Sequence, residues 1–292
     1  MRQPDALPLQ KLAFEVAVRI NTVTPITPPA LITMALLWAD RALSIDQLLA
    51  LLERYAADVE ARGLPVTSKP IATREVVVSG LSSLQRHSVV TRYDGGREPV
   101  YLIRPEQRIA ASYYRNGILH FFLIPAIVDL STGTDRHDDA LRLRDLLKFE
   151  FFFAEKGEFL AEIDAEAARP DRPVTAPFLR PFLESYWVAA EALRTHRDAP
   201  VHDTAALLEE ASGLAEQYLL QQRIYCADAV STSYAEGAIR LADHRGLLAP
   251  ESTVDLAARR ADLAEELHAL VRRVRTTQTL AAQRFLELMR GH

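Results

Sequence analysis

The stretch that most limits how this chain can fold is Ala110–Leu130, AASYYRNGILHFFLIPAIVDL, the most apolar part of the sequence and one with a polar cluster inside it. At a period of 3.6, Tyr113, Asn116, Gly117 and His120 share one stripe of a helix, while Tyr114, Ile118, Phe121 and Phe122 fall on the other side. A helix that is apolar nearly all round needs a cover, which places it in a core. The polar stripe has two readings. Asn116 and His120 are core groups satisfied by partners within the fold, or the stripe and its glycine receive other backbone or a ligand at close range. A bilayer span takes about 20 apolar residues. The run Gly117–Leu130 is interrupted by His120, Pro125 and Asp129, and no other segment reads as a span or a signal peptide.

Composition narrows the fold class. Eleven glycines in 292 residues is about half the usual share, which favours helix over turn-rich β structure. A net charge of −5 offers no global attraction to nucleic acid or anionic lipid. The one cysteine, Cys226, excludes an intrachain disulfide and reads as a small buried apolar residue.

Local signals then place the elements. Leu9, Leu12, Val16 and Ile20 form a helical stripe, ended by the prolines from Pro25. Thr27 is an N-cap with Pro28 at the first helical position. Ser44-Ile45-Asp46-Gln47 fits a capping box and opens a helix that ends near Gly63. A helix over Ile71–His87 is followed by a hairpin, Ser88–Tyr93 and Pro99–Ile103, around Asp94-Gly95-Gly96; Pro99 marks the second strand as an edge. Three helices and a hairpin give a winged-helix-like unit over 24–104, within an N-terminal region 1–107. Residues 108–292 read as an α-helical bundle. Its helices are expected over Leu141–Phe153, Glu158–Ala168, Phe178–Thr195, Asp203–Gln222 and Ala227–His244, the last closed by Gly246. A terminal helix starts at Ser252 or Thr253. Its apolar seam of Leu263, Leu267, Leu270, Val274, Ala281 and Leu288 suits packing on the bundle or self-association. The fold class is thus mainly α.

Signatures of common chemistries are missing. There is no G-x-G-x-x-G, Walker A run, H-E-x-x-H, C-x-x-C or G-x-S-x-G. Adjacent acids such as Asp138-Asp139 diverge on a helix and do not converge on one point. His137 and His202 are loop histidines without a ligand set, so no metal site and no cofactor is expected. Over Arg62–Arg104 seven basic residues stand against three acids, a local excess of four. That surplus could serve a DNA-binding winged helix through Arg74, Ser82, Ser83, Gln85, Arg86, Arg92 and Arg97, or be the surface of a protein-contacting one. On an acidic chain it would bind duplex weakly, so no nucleic-acid partner is expected. FEFFF at Phe149–Phe153, preceded by Arg142, Arg144 and Lys148, is either core or a membrane-interface seat.

Five blocks carry a resemblance: RINTVTPITPPALITMAL (Arg19–Leu36), YYRNGILHFF within Ala110–Leu130, LRLRDLLKFEFFF (Leu141–Phe153), LRPFLESYWVAAEAL (Leu179–Leu193) and YCADAVSTSYAEGAIRLADHRGLL (Tyr225–Leu248). In this order, from about Leu9 to about Leu248, they resemble the C-terminal part of the large membrane-associated glycerol-3-phosphate acyltransferases. The resemblance implies transfer of a fatty acyl group from a coenzyme A or acyl-carrier-protein thioester to the 1-hydroxyl of glycerol 3-phosphate, the first step of phospholipid synthesis. It implies a peripheral place on the cytoplasmic side of the membrane. It also implies a catalytic H-x-x-x-x-D pair, with the His as base and the Asp orienting its ring. Five positions after the histidines stand Arg92, Pro125, Arg142, Val201, Leu207, Ala249 and Arg273, and His292 ends the chain. None is Asp. The family's phosphate-binding arginine motifs are absent too. The expectation is a non-catalytic C-terminal region with no catalytic residue of its own, whose partner is the missing acyltransferase domain, in cis or in trans. The alternative is a stand-alone regulatory winged-helix protein. Tyr113, Arg115, Asn116 and His120 are the candidates for substrate or domain contact, with Arg115, off the stripe, serving an internal acid pair or the phosphate side of the site.

Overall fold

The computed structural model describes residues 9–249 and 254–290 and is mainly α-helical. Helix α1 (Leu9–Val23) is followed by α2 (Pro28–Ala39), a short strand β1 (Leu43–Ser44), α3 (Ile45–Ala61) and α4 (Arg74–Arg86). The hairpin strands are β2 (Thr91–Tyr93) and β3 (Val100–Leu102). Then come α5 (Arg108–Leu119), α6 (Leu123–Leu130), α7 (Arg136–Leu147), α8 (Lys156–Ala167), α9 (Arg180–Thr195), α10 (Thr204–Leu220), α11 (Thr232–His244) and α12 (Leu256–Arg290). The start expected for α12 at Ser252 or Thr253 lies outside the described residues.

The helix ends follow from local chemistry. Thr27 Oγ1 accepts the Ala30 amide at 3.3 Å at the start of α2. Ser44 and Gln47 close both bonds of the capping box: Ser44 Oγ accepts the Gln47 amide, and Gln47 Oε1 accepts the Ser44 amide. Gly63 and Gly246 sit at φ +62° and +63° just past α3 and α11, the left-handed turn in which a Cβ would be strained.

The sheet departs from expectation. Its order is β1-β3-β2, all antiparallel, with Leu43 opposite Tyr101 and Arg92 opposite Tyr101 on the other side. The second hairpin strand is therefore central, not an edge. Pro99 does not prevent this because it precedes the paired residues, so its missing N–H removes no ladder bond. β1 comes from two residues ahead of the α3 cap, too short a run to signal a strand in the sequence.

The apolar segment 110–130 is not one helix. It breaks into α5, a 3-10 turn at His120–Phe122, and α6. Pro125 falls in the first turn of α6, where its missing N–H costs nothing. Similarly, α7 ends at Leu147, short of the expected Phe153, and FEFFF leaves the helix. Phe151 packs on Phe182 at 5.2 Å and Phe153 on Phe159 at 5.6 Å, so the run seats largely within the chain.

Buried apolar residues form one cluster that runs through both halves of the chain. α9 lies at its centre, buried from Arg180 to Leu193, with α10, α11 and α12 packed against it, while α2 packs on α5. Leu263, Leu267, Leu270, Val274 and Ala281 of the α12 seam are buried within this chain.

Candidate functional site

The polar stripe of α5 lies at the surface. Tyr113 is 80% exposed, Asn116 and Gly117 are exposed, and His120 is half-buried. A Cβ placed on Gly117 would meet nothing within 4 Å, so among the described residues no backbone makes the close approach the glycine allows. Ile118, Leu119, Phe121 and Phe122 turn inward to the core. The two sides of the helical stripe are thus separated as the 3.6 period requires.

Arg115 and Asn116 tie this surface to the interior. Arg115, 2% exposed, forms an ion pair through NH1 with Asp228 Oδ2 at 2.9 Å. It also donates from Nε and NH2 to Asn116 Oδ1 at 3.1 and 2.9 Å. Asn116 Nδ2 in turn donates to the Tyr234 hydroxyl at 2.8 Å. Arg115 thus has an internal acid partner in Asp228. Asp228 is 2% exposed and neither of its carboxylate oxygens has an aligned hydrogen bond, so its charge is balanced by proximity to the guanidinium. Burial pushes the Tyr234 hydroxyl up from its ordinary range, with Arg115 and the Asn116 bond pulling the other way.

His120 is held differently. Its Nε2 is buried without a hydrogen-bond partner, and its ring lies 4.0 Å from that of Phe121. Burial lowers its pKa, and a hydrogen bond with the Asn21 backbone opposes this. The ring is therefore neutral near pH 7. No carboxylate among the described residues orients it, so the base-and-orienter geometry of an acyl-transfer His is not built here.

Two histidines among the described residues do meet carboxylates, His137 Nε2 with Asp164 at 2.7 Å and His196 Nε2 with Glu210 at 2.9 Å. Both are open to solvent and are surface pairs. Among the described residues, no group of three or more His, Cys, Asp or Glu side chains could hold a metal ion. The Cys226 thiol is buried and held well above its usual pKa by that burial.

The fold brings the five blocks together around α9. The Phe182 ring lies 4.3 Å from that of Tyr234, tilted by 39°, with the Arg115 guanidinium 6.0 Å from the Phe182 ring centre. Glu150 accepts a hydrogen bond from Tyr186 at 3.0 Å, and burial raises the carboxyl's pKa. Arg19–Leu36 enters through Asn21 at His120 and through α2 on α5. Sequence reasoning missed Asp228 and Tyr234. Both lie in Tyr225–Leu248, which the resemblance singles out, yet nothing local in that block distinguishes them from its other polar residues.

The basic surface weighed for DNA is partly spent. Arg62 pairs with Asp58, Arg74 with Asp46 and Arg92 with Asp94.

Comparison with known proteins bears on the same blocks. Residues 1–172 and 168–251 match the family described as the glycerol-3-phosphate acyltransferase C-terminal region. The chain belongs to this family. It is 33% identical over 310 residues to the putative acyltransferase plsB1 of Mycobacterium tuberculosis and to that of Mycobacterium bovis, covering 94% of this chain and 50% of each relative. It is also 27% identical over 157 residues to a glycerol-3-phosphate acyltransferase of Pseudoalteromonas translucida, covering 53% of this chain and 19% of that protein. The chain thus spans about half the length of the mycobacterial relatives it matches. No helix among the described residues is long and apolar enough to cross a membrane.

Proposed function

We propose that this chain is the non-catalytic C-terminal region of a glycerol-3-phosphate 1-O-acyltransferase. In this reading it supports acyl transfer from a coenzyme A or acyl-carrier-protein thioester to glycerol 3-phosphate on a catalytic half supplied in cis or in trans. The observation that carries it is the match to a C-terminal region family across most of a chain that has no H-x-x-x-x-D pair. The division at residue 107, the winged-helix-like unit and a peripheral seat on the cytoplasmic face of the membrane belong to the same proposal. The order α2, β1, α3, α4, β2, β3 supports the winged-helix-like unit. In the same proposal, the outward stripe of Tyr113, Asn116, Gly117 and His120 faces the catalytic half, Gly117 leaving room for a backbone. Arg115 and Asp228 hold that stripe at its angle from behind. No observation favours the DNA-binding alternative.

The test is direct. Incubated with glycerol 3-phosphate and a long-chain acyl-coenzyme A, the chain alone should give no turnover above the protein-free blank. Turnover well above it overturns the non-catalytic assignment. In a relative that carries both halves, Ala at the position matching His120 should lower activity while the circular dichroism spectrum is kept. Unchanged activity there counts against the role given to the stripe.

A further inference from the structure

Helix α1 carries an apolar face that the described residues leave exposed. Leu12, Val16, Ile20 and Val23 recur at spacings of four, four and three, one stripe of the helix, and their exposure runs from 46% at Leu12 to 72% at Val23. No residue of α1 whose side chain is described is buried. The helix is nevertheless anchored at its C-terminal end. Ile26 donates to the Pro65 carbonyl at 2.8 Å and accepts from the Thr67 amide at 3.2 Å. The Asn21 backbone meets His120 at the end of the α5 stripe. An amphipathic helix of 15 residues is marginal in water when its apolar face is unpacked.

We infer that the α1 stripe is the docking surface for the acyltransferase half, continuous at Asn21 and His120 with the α5 stripe. This rests on the C-terminal-region reading proposed above. Two observations choose that occupant. The first is position: the chain covers half of its mycobacterial relatives and matches a C-terminal region, which follows the other half in sequence, and α1 is the first described element of that region. The second is size. Four partly exposed aliphatic side chains offer on the order of a few hundred Å², short of the roughly 800 Å² per partner of a free-standing interface. A covalently attached domain works at millimolar effective concentration and needs far less. A lipid surface fits less well. Interfacial helices carry Lys and Arg along the polar face, whereas α1 has Lys11 and Arg19 against Glu15.

The experiment joins the upstream half of the Mycobacterium tuberculosis relative to this full chain and follows amide exchange by mass spectrometry. In the fusion the α1 amides should be protected at least tenfold over the lone chain. Val16→Lys with Ile20→Lys should remove that gain while α9 exchange stays unchanged. Equal α1 exchange in the fusion and the lone chain, with both halves folded by exchange of their own cores, overturns the inference. So does a dimer of the lone chain that dissociates with the lysine pair, or retention on phosphatidylglycerol vesicles lost with it. Acylation of glycerol 3-phosphate by the fusion reports separately on the enzyme reading. An inactive fusion with α1 protected would sink that reading and leave the docking surface standing. An active fusion with α1 exposed would do the reverse.

Discussion

Asp228→Ala is the sharpest perturbation of the site. Arg115 is 2% exposed, and among the described residues its one carboxylate partner is Asp228 at 2.9 Å. Without it the guanidinium keeps only neutral acceptors, Asn116 Oδ1 and, at 3.5 Å, the Tyr234 hydroxyl. Breaking a buried pair from one side costs about 3–5 kcal/mol, because the remaining charge stays desolvated. The carboxylate has no aligned hydrogen bond of its own, and its ion-pair partner is Arg115. Removing both charges, Arg115→Met with Asp228→Leu, should therefore bring stability back to within ~1 kcal/mol of the parent. Urea unfolding at pH 7.5, followed by far-ultraviolet circular dichroism, compares the parent, the single variant and the double variant. The single variant should also melt roughly 5–8 °C lower for a chain of this size. A loss under ~1 kcal/mol for Asp228→Ala, or a double variant no better than the single, would refute the claim that the pair is held by its charges.

Three further outcomes follow from the packing. Gly237→Ala should destabilise the α9–α11 contact, since a Cβ there would overlap Glu150 Oε1 and stand 2.6 Å from the Tyr186 hydroxyl, two groups fixed by their own hydrogen bond; relief of the effect by a second change, Glu150→Ala, is the check, in thermal melts. Arg260→Met should cost several kcal/mol, because Arg260 is fully buried and its guanidinium donates to the carbonyls of Leu247, Arg197, Ala199 and Leu248 at 2.7–3.0 Å; the Leu248 carbonyl keeps the Val201 amide, each acceptor left stranded is worth ~1–3 kcal/mol, and Arg260→Lys should recover only part in the same urea series. His120 should make the fold acid-sensitive: its folded pKa lies below the ordinary 6.5, so the unfolded chain takes up the proton first and stability falls as pH drops from 6.5 towards the folded value. Urea midpoints at pH 7.5 and 5.5 should differ less in His120→Asn than in the parent, and an identical difference would show that the ring does not titrate with folding.

Much of the fold is legible in the chain itself. The Thr27 cap, the Ser44–Gln47 box and the glycine stops at Gly63 and Gly246 are interactions over three or four residues, so spacing alone declares them. The same holds for the division of α5 into an apolar side and a polar stripe, which the period of the helix imposes. Spacing could not show whether that stripe would be covered, because its cover is a matter of what other elements bring to it. Nor could it place β3 at the centre of its sheet, since the partner that centres it, Leu43–Ser44, is far off in sequence and only two residues long. The Arg115–Asp228 pair and the Asn116–Tyr234 bond, the latter 118 residues apart, belong to the same class. Any acid of this acidic chain could have answered Arg115. Which one does was decided when α5 and the turn before α11 packed together beside α9, and burial then made that one pairing obligatory.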